Sequence, residues 1–239
     1  VAFHPETAQA HYNRGMGRKT AGDLGGAIAA LRKAVELHAD YFDARLNLSR
    51  LLREAGHVQD AVAQSAYAVD LRSESAEAHC VHAEALSMAG ATAAALEEIE
   101  RALALRPEAP EVYLNLGNLL TQHFQVERAI EAYRDAIVRA PDVFIARSNY
   151  VFVLNYAETM DAEGLFREHR DFDARHCAGL TAMRHESPGA AAAERPIRVG
   201  FLSADLRSHS VANFIEPLFR HHDRTRYSFH CYFNQLVND

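Results

Sequence analysis

The 239 residues carry 49% hydrophobic and 24% charged side chains, the balance of an ordinary folded protein and not of a disordered one. A formal net charge of −7 at pH 7 argues against a general nucleic-acid binder, which needs a basic face to neutralise phosphates. No apolar run approaches the ~20 residues that cross a bilayer, and Cys80, Cys177 and Cys231 lie far apart, fitting a reducing, cytoplasmic setting better than a disulfide framework or a zinc site.

The opening Val1-Ala2-Phe3-His4-Pro5 shows no basic region leading into an apolar core, so no signal peptide is expected there. A first residue that is valine suggests a trimmed beginning. Behind it a period emerges. Ala27, Ala61, Ala95 and Ala129 are spaced by 34 residues, and so are Ala34, Ala68, Ala102 and Ala136. Two independent ladders with one spacing define frames 8–41, 42–75, 76–109 and 110–143. The eighth position then reads Gly15, Ser49, Ala83, Gly117, and the fifteenth reads Gly22, Gly56, Gly90, Phe124.

Two antiparallel helices approach closely only where one offers a small side chain to a larger one. The eighth and twentieth positions would do this within a frame, and the twenty-seventh against the next frame. Glycine at the fifteenth position supplies a turn that needs positive φ. Phe124 departs from that pattern, so the fourth turn is expected to differ. Pro107 and Pro141 close the third and fourth frames, where a proline ends a helix by lacking a donor.

A fifth first helix is expected from Phe144 to Asn155, and Met160 to Cys177 reads as a further helix capping the stack. Residues 144–186 are thus a partial fifth frame with capping helices. Successive first helices would line a concave groove, and their sixth positions read Asn13, Asn47, Val81, Asn115 and Asn149. A row of primary amides matches the donors and acceptors of an extended main chain. The alternative is asparagine tolerated on a solvated face. Its modest helix propensity and its recurrence in four of five frames favour a binding role.

His79 and His82 could share a helix face, but no third metal ligand accompanies them. Packing or exposed roles suit them, and equally His11, His38, His57, His123, His169 and His176.

Ser187-Pro188-Gly189 and the alanines after it break the repeat texture and read as a linker over 187–195. Ile197 to Leu202 then reads as a buried strand, Val211 to Phe219 as a helix bent or broken at Pro217, and Tyr227 to Phe233 as a second strand. Strand, helix, strand opens a parallel α/β sheet, incomplete over 196–239. Gly200 stands without the further glycines of a phosphate-cradling loop. The segment Ser203-Ala204-Asp205-Leu206-Arg207-Ser208-His209-Ser210 leaves the first strand where such sheets bind ligands. His209 is therefore placed for proton transfer. The alternative is that Ser208 or Ser210 caps the next helix with His209 idle beside it.

The frames over 8–143 resemble tetratricopeptide repeats. Those frames with asparagine at the sixth position, together with Arg198-Val199-Gly200-Phe201-Leu202-Ser203-Ala204-Asp205 and His209, resemble the protein O-linked N-acetylglucosamine transferases, most closely bacterial ones. Ser148-Asn149-Tyr150, Leu154-Asn155-Tyr156, Glu168-His169-Arg170 and the run Tyr227 to Tyr232 are similar to that family too.

The resemblance implies an all-α tetratricopeptide superhelix followed by the beginning of a two-lobed, Rossmann-like glycosyltransferase domain. It implies an inverting transfer of N-acetylglucosamine from UDP-GlcNAc to protein serine or threonine hydroxyls, with no metal or other cofactor. His209 matches the family's proposed base, and Asn13, Asn47, Asn115 and Asn149 match its acceptor-binding ladder, interrupted by Val81. The rest of the catalytic domain would be a needed partner, so these residues alone are expected to be inactive. A non-enzymatic adaptor that binds peptides or partner proteins is the competing reading. Hydrolase and kinase-like readings lack a Gly-x-Ser-x-Gly, a phosphate loop or an HExxH.

Overall fold

A computed structural model describes residues 7–179, 196–202 and 210–232, without the side chains of 202 and 210–213. The chain divides into two compact units, Val1–Thr181 and Ala182–Asp239.

The first unit holds ten helices among its described residues. They are α1 (Ala8–Thr20), α2 (Leu24–Leu37), α3 (Phe42–Glu54), α4 (Val58–Leu71), α5 (Ala76–Met88), α6 (Thr92–Leu105), α7 (Pro110–Gln122), α8 (Val126–Arg139), α9 (Phe144–Leu154) and α10 (Ala162–His176). The first helices of successive pairs start 34 residues apart, at Ala8, Phe42, Ala76, Pro110 and Phe144. Local chemistry starts several of them. The side chains of Thr7, Asp23, Ser75 and Asp161 accept from backbone amides at the starts of α1, α2, α5 and α10. Pro110 opens α7, where its missing donor costs nothing.

Both alanine ladders are sealed. Ala27, Ala61, Ala95 and Ala129 have 0% exposure, and Ala34, Ala68, Ala102 and Ala136 have at most 1%. A third ladder accompanies them and escaped the reading of the sequence. At the twenty-fourth position stand Leu31, Ser65, Ile99 and Tyr133, all buried. Their size answers that of the eighth position. A Cβ on Gly15 would lie 2.9 Å from Leu31 Cγ, and one on Gly117 would lie 2.4 Å from the Tyr133 ring. Where the eighth position is Ser49, the partner position is Ser65, and both hydroxyls donate to the Ala61 carbonyl, at 2.8 and 2.9 Å. Helix separation thus stays even while the contents of each layer vary.

The fourth turn corrects an expectation. Phe124 takes φ 56° at the place where Gly22, Gly56 and Gly90 take 79°, 78° and 80°. All four turns close with the same pair of backbone bonds. Phe124 N–H donates to Thr121 O and Gln125 N–H to Leu120 O, as Gly90 N–H does to Ser87 O and Ala91 N–H to Leu86 O. The packing of α7 on α8 therefore overrides the residue's own preference. Phe124 is 88% exposed, so its ring contributes little in return. Phe124→Gly is expected to raise stability by about 1 kcal/mol, relieving the left-handed strain of an L-residue. Chemical denaturation checks this, and an unchanged or lower midpoint would contradict it.

Of the two histidines of the third frame, His79 is buried and His82 half-buried, and both bond within the stack. His79 Nδ1 lies 2.6 Å from Glu98 Oε2 and its Nε2 lies 2.8 Å from the Ser73 carbonyl, while Arg101 donates to the other Glu98 oxygen at 2.7 Å. His82 Nδ1 meets Ser65 Oγ at 3.0 Å, and burial lowers its pKa from the ordinary 6.5. The folded state therefore favours the neutral His82 ring. Its contribution is complete above the unfolded pKa and is lost as pH falls through the lower folded value. Stability should decline below about pH 6.5, and His82→Gln should flatten that decline in denaturation curves across pH. An identical slope in both proteins would exclude His82 as a source.

The second unit, over its described residues, contains β1 (Ile197–Leu202), α11 (Ser210–His221) and β2 (Tyr227–Tyr232). β1 and β2 pair in parallel, from Ile197 opposite Tyr227 to Leu202 opposite Tyr232. Phe201, Phe219 and Phe229 pack their rings 5.1–5.8 Å apart, and His222 stacks on Phe229 at 4.1 Å. Pro217 sits inside α11, which continues through it to His221. This is one βαβ unit. A complete Rossmann-like domain is not present among the described residues.

Candidate peptide-binding groove

The first helices touch in succession, α3 with α5, α5 with α7 and α7 with α9. A shared face of those helices therefore runs along the stack, and side chains at one frame position recur down it. Ion pairs bridge neighbouring helices on this face. Arg50 reaches Glu77 at 2.7 Å and Arg53 reaches Glu84 at 2.5 Å. Burial raises the Glu84 pKa, against the opposing pull of Arg53 and Arg50.

The asparagines fall into two groups. Asn13 Oδ1 accepts from Gln9 Nε2 at 2.9 Å, and Asn47 Nδ2 donates to the Asp43 carbonyl at 2.9 Å and the Tyr12 hydroxyl at 3.3 Å. Asn115 bonds the Cys80 thiol, whose pKa burial pushes up to about 11. That thiol stays protonated at neutral pH and is not a nucleophile. Asn115 and Asn118 line one cavity of about 170 Å³ with Arg53, Glu84, Ser87 and Gln122. Asn149 Nδ2 donates to Asn118 Oδ1 at 2.9 Å, and the Tyr133 hydroxyl donates to the same oxygen at 2.9 Å. Among the described residues these bonds use one end each of the Asn13, Asn47 and Asn149 amides.

Val81 divides the two groups. Its side chain is 3% exposed and packs with Phe42, Leu46, Ala68 and Ala78. Asn118 was missed in the sequence because no other frame carries asparagine at its position. The register also shows a change of character along the face. Glu77 and Glu111 occupy the second position, and Ile145 replaces them in the fifth frame; Arg50, Glu84 and Asn118 occupy the ninth, and Phe152 replaces them. Ile145 and Phe152 are more than half exposed.

His209 lies outside the described residues, as do Ser203 to Ser208 and the 187–195 stretch. Among the described residues no helix is long and apolar enough to cross a membrane.

The helical pairs and their periodicity define a class, and comparison agrees. A family profile described as tetratricopeptide repeat matches residues 80–144, and a second of the same description matches 20–66. The chain carries tetratricopeptide repeats stacked as a helical array.

Particular relatives follow from the same region. The chain is 35% identical over 91 residues to the probable UDP-N-acetylglucosamine–peptide N-acetylglucosaminyltransferase SPINDLY of Arabidopsis thaliana, covering 36% of this chain and 9% of that one. It is 31% identical over 98 residues to the SPINDLY of Oryza sativa subsp. japonica, covering 41% and 10%. The chain thus spans about a tenth of the curated relatives it matches. A mutant O-GlcNAc transferase from Thermobaculum terrenum superposes with TM-score 0.67 at 28% identity, over 83% of this chain and 38% of that one.

Proposed function

We propose that this chain is the acceptor-binding repeat arm and the start of the catalytic domain of a protein O-linked N-acetylglucosamine transferase. One observation carries the reading: the likeness to a solved O-GlcNAc transferase extends over 83% of the chain at 28% identity. The parallel βαβ unit of β1, α11 and β2 supports an opening Rossmann-like lobe over 196–239, joined through 187–195 to the repeats.

On this reading an extended acceptor lies along the first helices. Asn13, Asn47, Asn115 and Asn149 bond its main chain, which lets one groove accept many sequences. His209, which falls in sequence between β1 and α11, takes the proton from the acceptor hydroxyl as that oxygen attacks the anomeric carbon of UDP-GlcNAc. The bond from sugar to diphosphate breaks, and the UDP leaving group carries the electron pair. Stabilising that leaving charge falls to residues elsewhere in the catalytic domain.

A peptide-binding adaptor is the second reading, favoured by the tetratricopeptide matches over 20–66 and 80–144. Purified protein extending through the remaining catalytic domain separates the two. Incubated with UDP-GlcNAc and a serine-containing peptide, it should yield a glycosylated peptide and free UDP. Peptide binding with neither binding nor hydrolysis of UDP-GlcNAc would establish the adaptor.

A further inference from the structure

Residues of α8, α9 and α10 line an open hollow of about 620 Å³, within the ~300–1,000 Å³ of small-molecule sites. Its chemistry is carried by Arg134, Arg147, Tyr150, Arg167, Glu168 and Asp171. The Arg147 side chain is only 13% exposed and pairs with Asp171, which also binds Arg175 at 3.0 Å. One carboxylate is therefore shared by two guanidinium groups. Arg147 Nε is buried and makes no hydrogen bond among the described residues, a costly state for a charged donor.

Two further guanidinium groups carry no ion pair among the described residues. Arg134 donates Nε to the Tyr150 hydroxyl at 3.3 Å, and neither Arg134 nor Arg167 has an acidic partner among the described residues. Guanidinium forks match the paired oxygens of an oxyanion. Glu168 sits in the same wall, half-buried and with no cationic partner among the described residues. A carboxylate there repels a bare anion but accepts from hydroxyl groups.

We propose that this cavity binds a small polyhydroxylated phosphate ester. Arg134, Arg147 and Arg167 take the phosphate, and Glu168 beside them accepts from hydroxyls of the same molecule. The assignment is independent of the groove and of any transferase activity.

Calorimetric titration of the full chain with glucose 6-phosphate, inorganic phosphate and glucose tests it. Saturable binding is expected for the sugar phosphate, weaker binding for phosphate and none for glucose. Arg134→Gln with Arg167→Gln should weaken sugar-phosphate binding by roughly tenfold for each guanidinium lost. Both side chains are exposed and free of ion pairs, so the helices should persist by circular dichroism. Arg14→Gln, remote on α1, should change nothing. Glu168→Gln should tighten inorganic phosphate while loosening the sugar phosphate. Absence of saturable sugar-phosphate binding, equal affinity for phosphate and sugar phosphate, or indifference to the arginine substitutions would overturn the proposal.

Discussion

His209→Ala, in a polypeptide that includes the remaining catalytic domain, is expected to lower sugar transfer by about 10²–10⁴-fold. A neutral serine hydroxyl is a poor nucleophile, and a base that removes its proton in the transition state contributes on that scale. An imidazole with an ordinary pKa near ~6.5 is largely neutral at physiological pH and so able to accept. The loss should fall on kcat, because the base acts as the bond forms and adds little to ground-state binding. Acceptor affinity and the circular dichroism of the repeats should be unchanged. Transfer at the wild-type rate would remove His209 from the chemistry.

The second large effect concerns the fold. Tyr133→Ala is expected to destabilise the first unit by about 3–5 kcal/mol, the range for deleting a buried aromatic ring. The ring is 2% exposed and fills the space left by Gly117. Its hydroxyl also bonds Asn118 Oδ1 at 2.9 Å and Thr121 Oγ1 at 3.1 Å. Removing it opens a cavity and releases Asn118 toward Asn149. Tyr133→Phe separates these contributions, since it keeps the packing and deletes only the bonds; about 1 kcal/mol is expected for it. Urea denaturation followed by circular dichroism measures both. A cost for Tyr133→Ala no greater than that for Tyr133→Phe would show that the ring itself contributes nothing.

Much of this architecture was legible because small residues recur at fixed offsets. Ala27 and Ala34 with their equivalents reveal the step of the stack without any knowledge of its partners. β1 and β2 were legible for a different reason, as short runs rich in β-branched and aromatic residues. What escaped was the complement of each small residue. Leu31, Ser65, Ile99 and Tyr133 share no chemistry, only a volume matched to the residue opposite, so no pattern of residue types discloses them. Phe124 escaped similarly: a turn fixed by two packed helices imposes positive φ on whatever residue falls there. The candidate groove was half visible. Asparagine recurrence marked Asn13, Asn47, Asn115 and Asn149, whereas Asn118 joins through contacts between α7, α8 and α9 that have no periodic counterpart. The arginine cavity lies where the repeat decays, assembled from three helices that share no register.

On the proposed function, this face grips an extended polypeptide by its main chain. Fluorescence anisotropy with a labelled serine-containing peptide, its scrambled sequence and a version methylated at alternate backbone nitrogens tests it most directly. Similar affinity is expected for the first two peptides and a marked loss for the methylated one. Asn115→Ala with Asn149→Ala should remove most of that difference. Full affinity for the methylated peptide, or binding that follows side-chain order and ignores both asparagines, would contradict it.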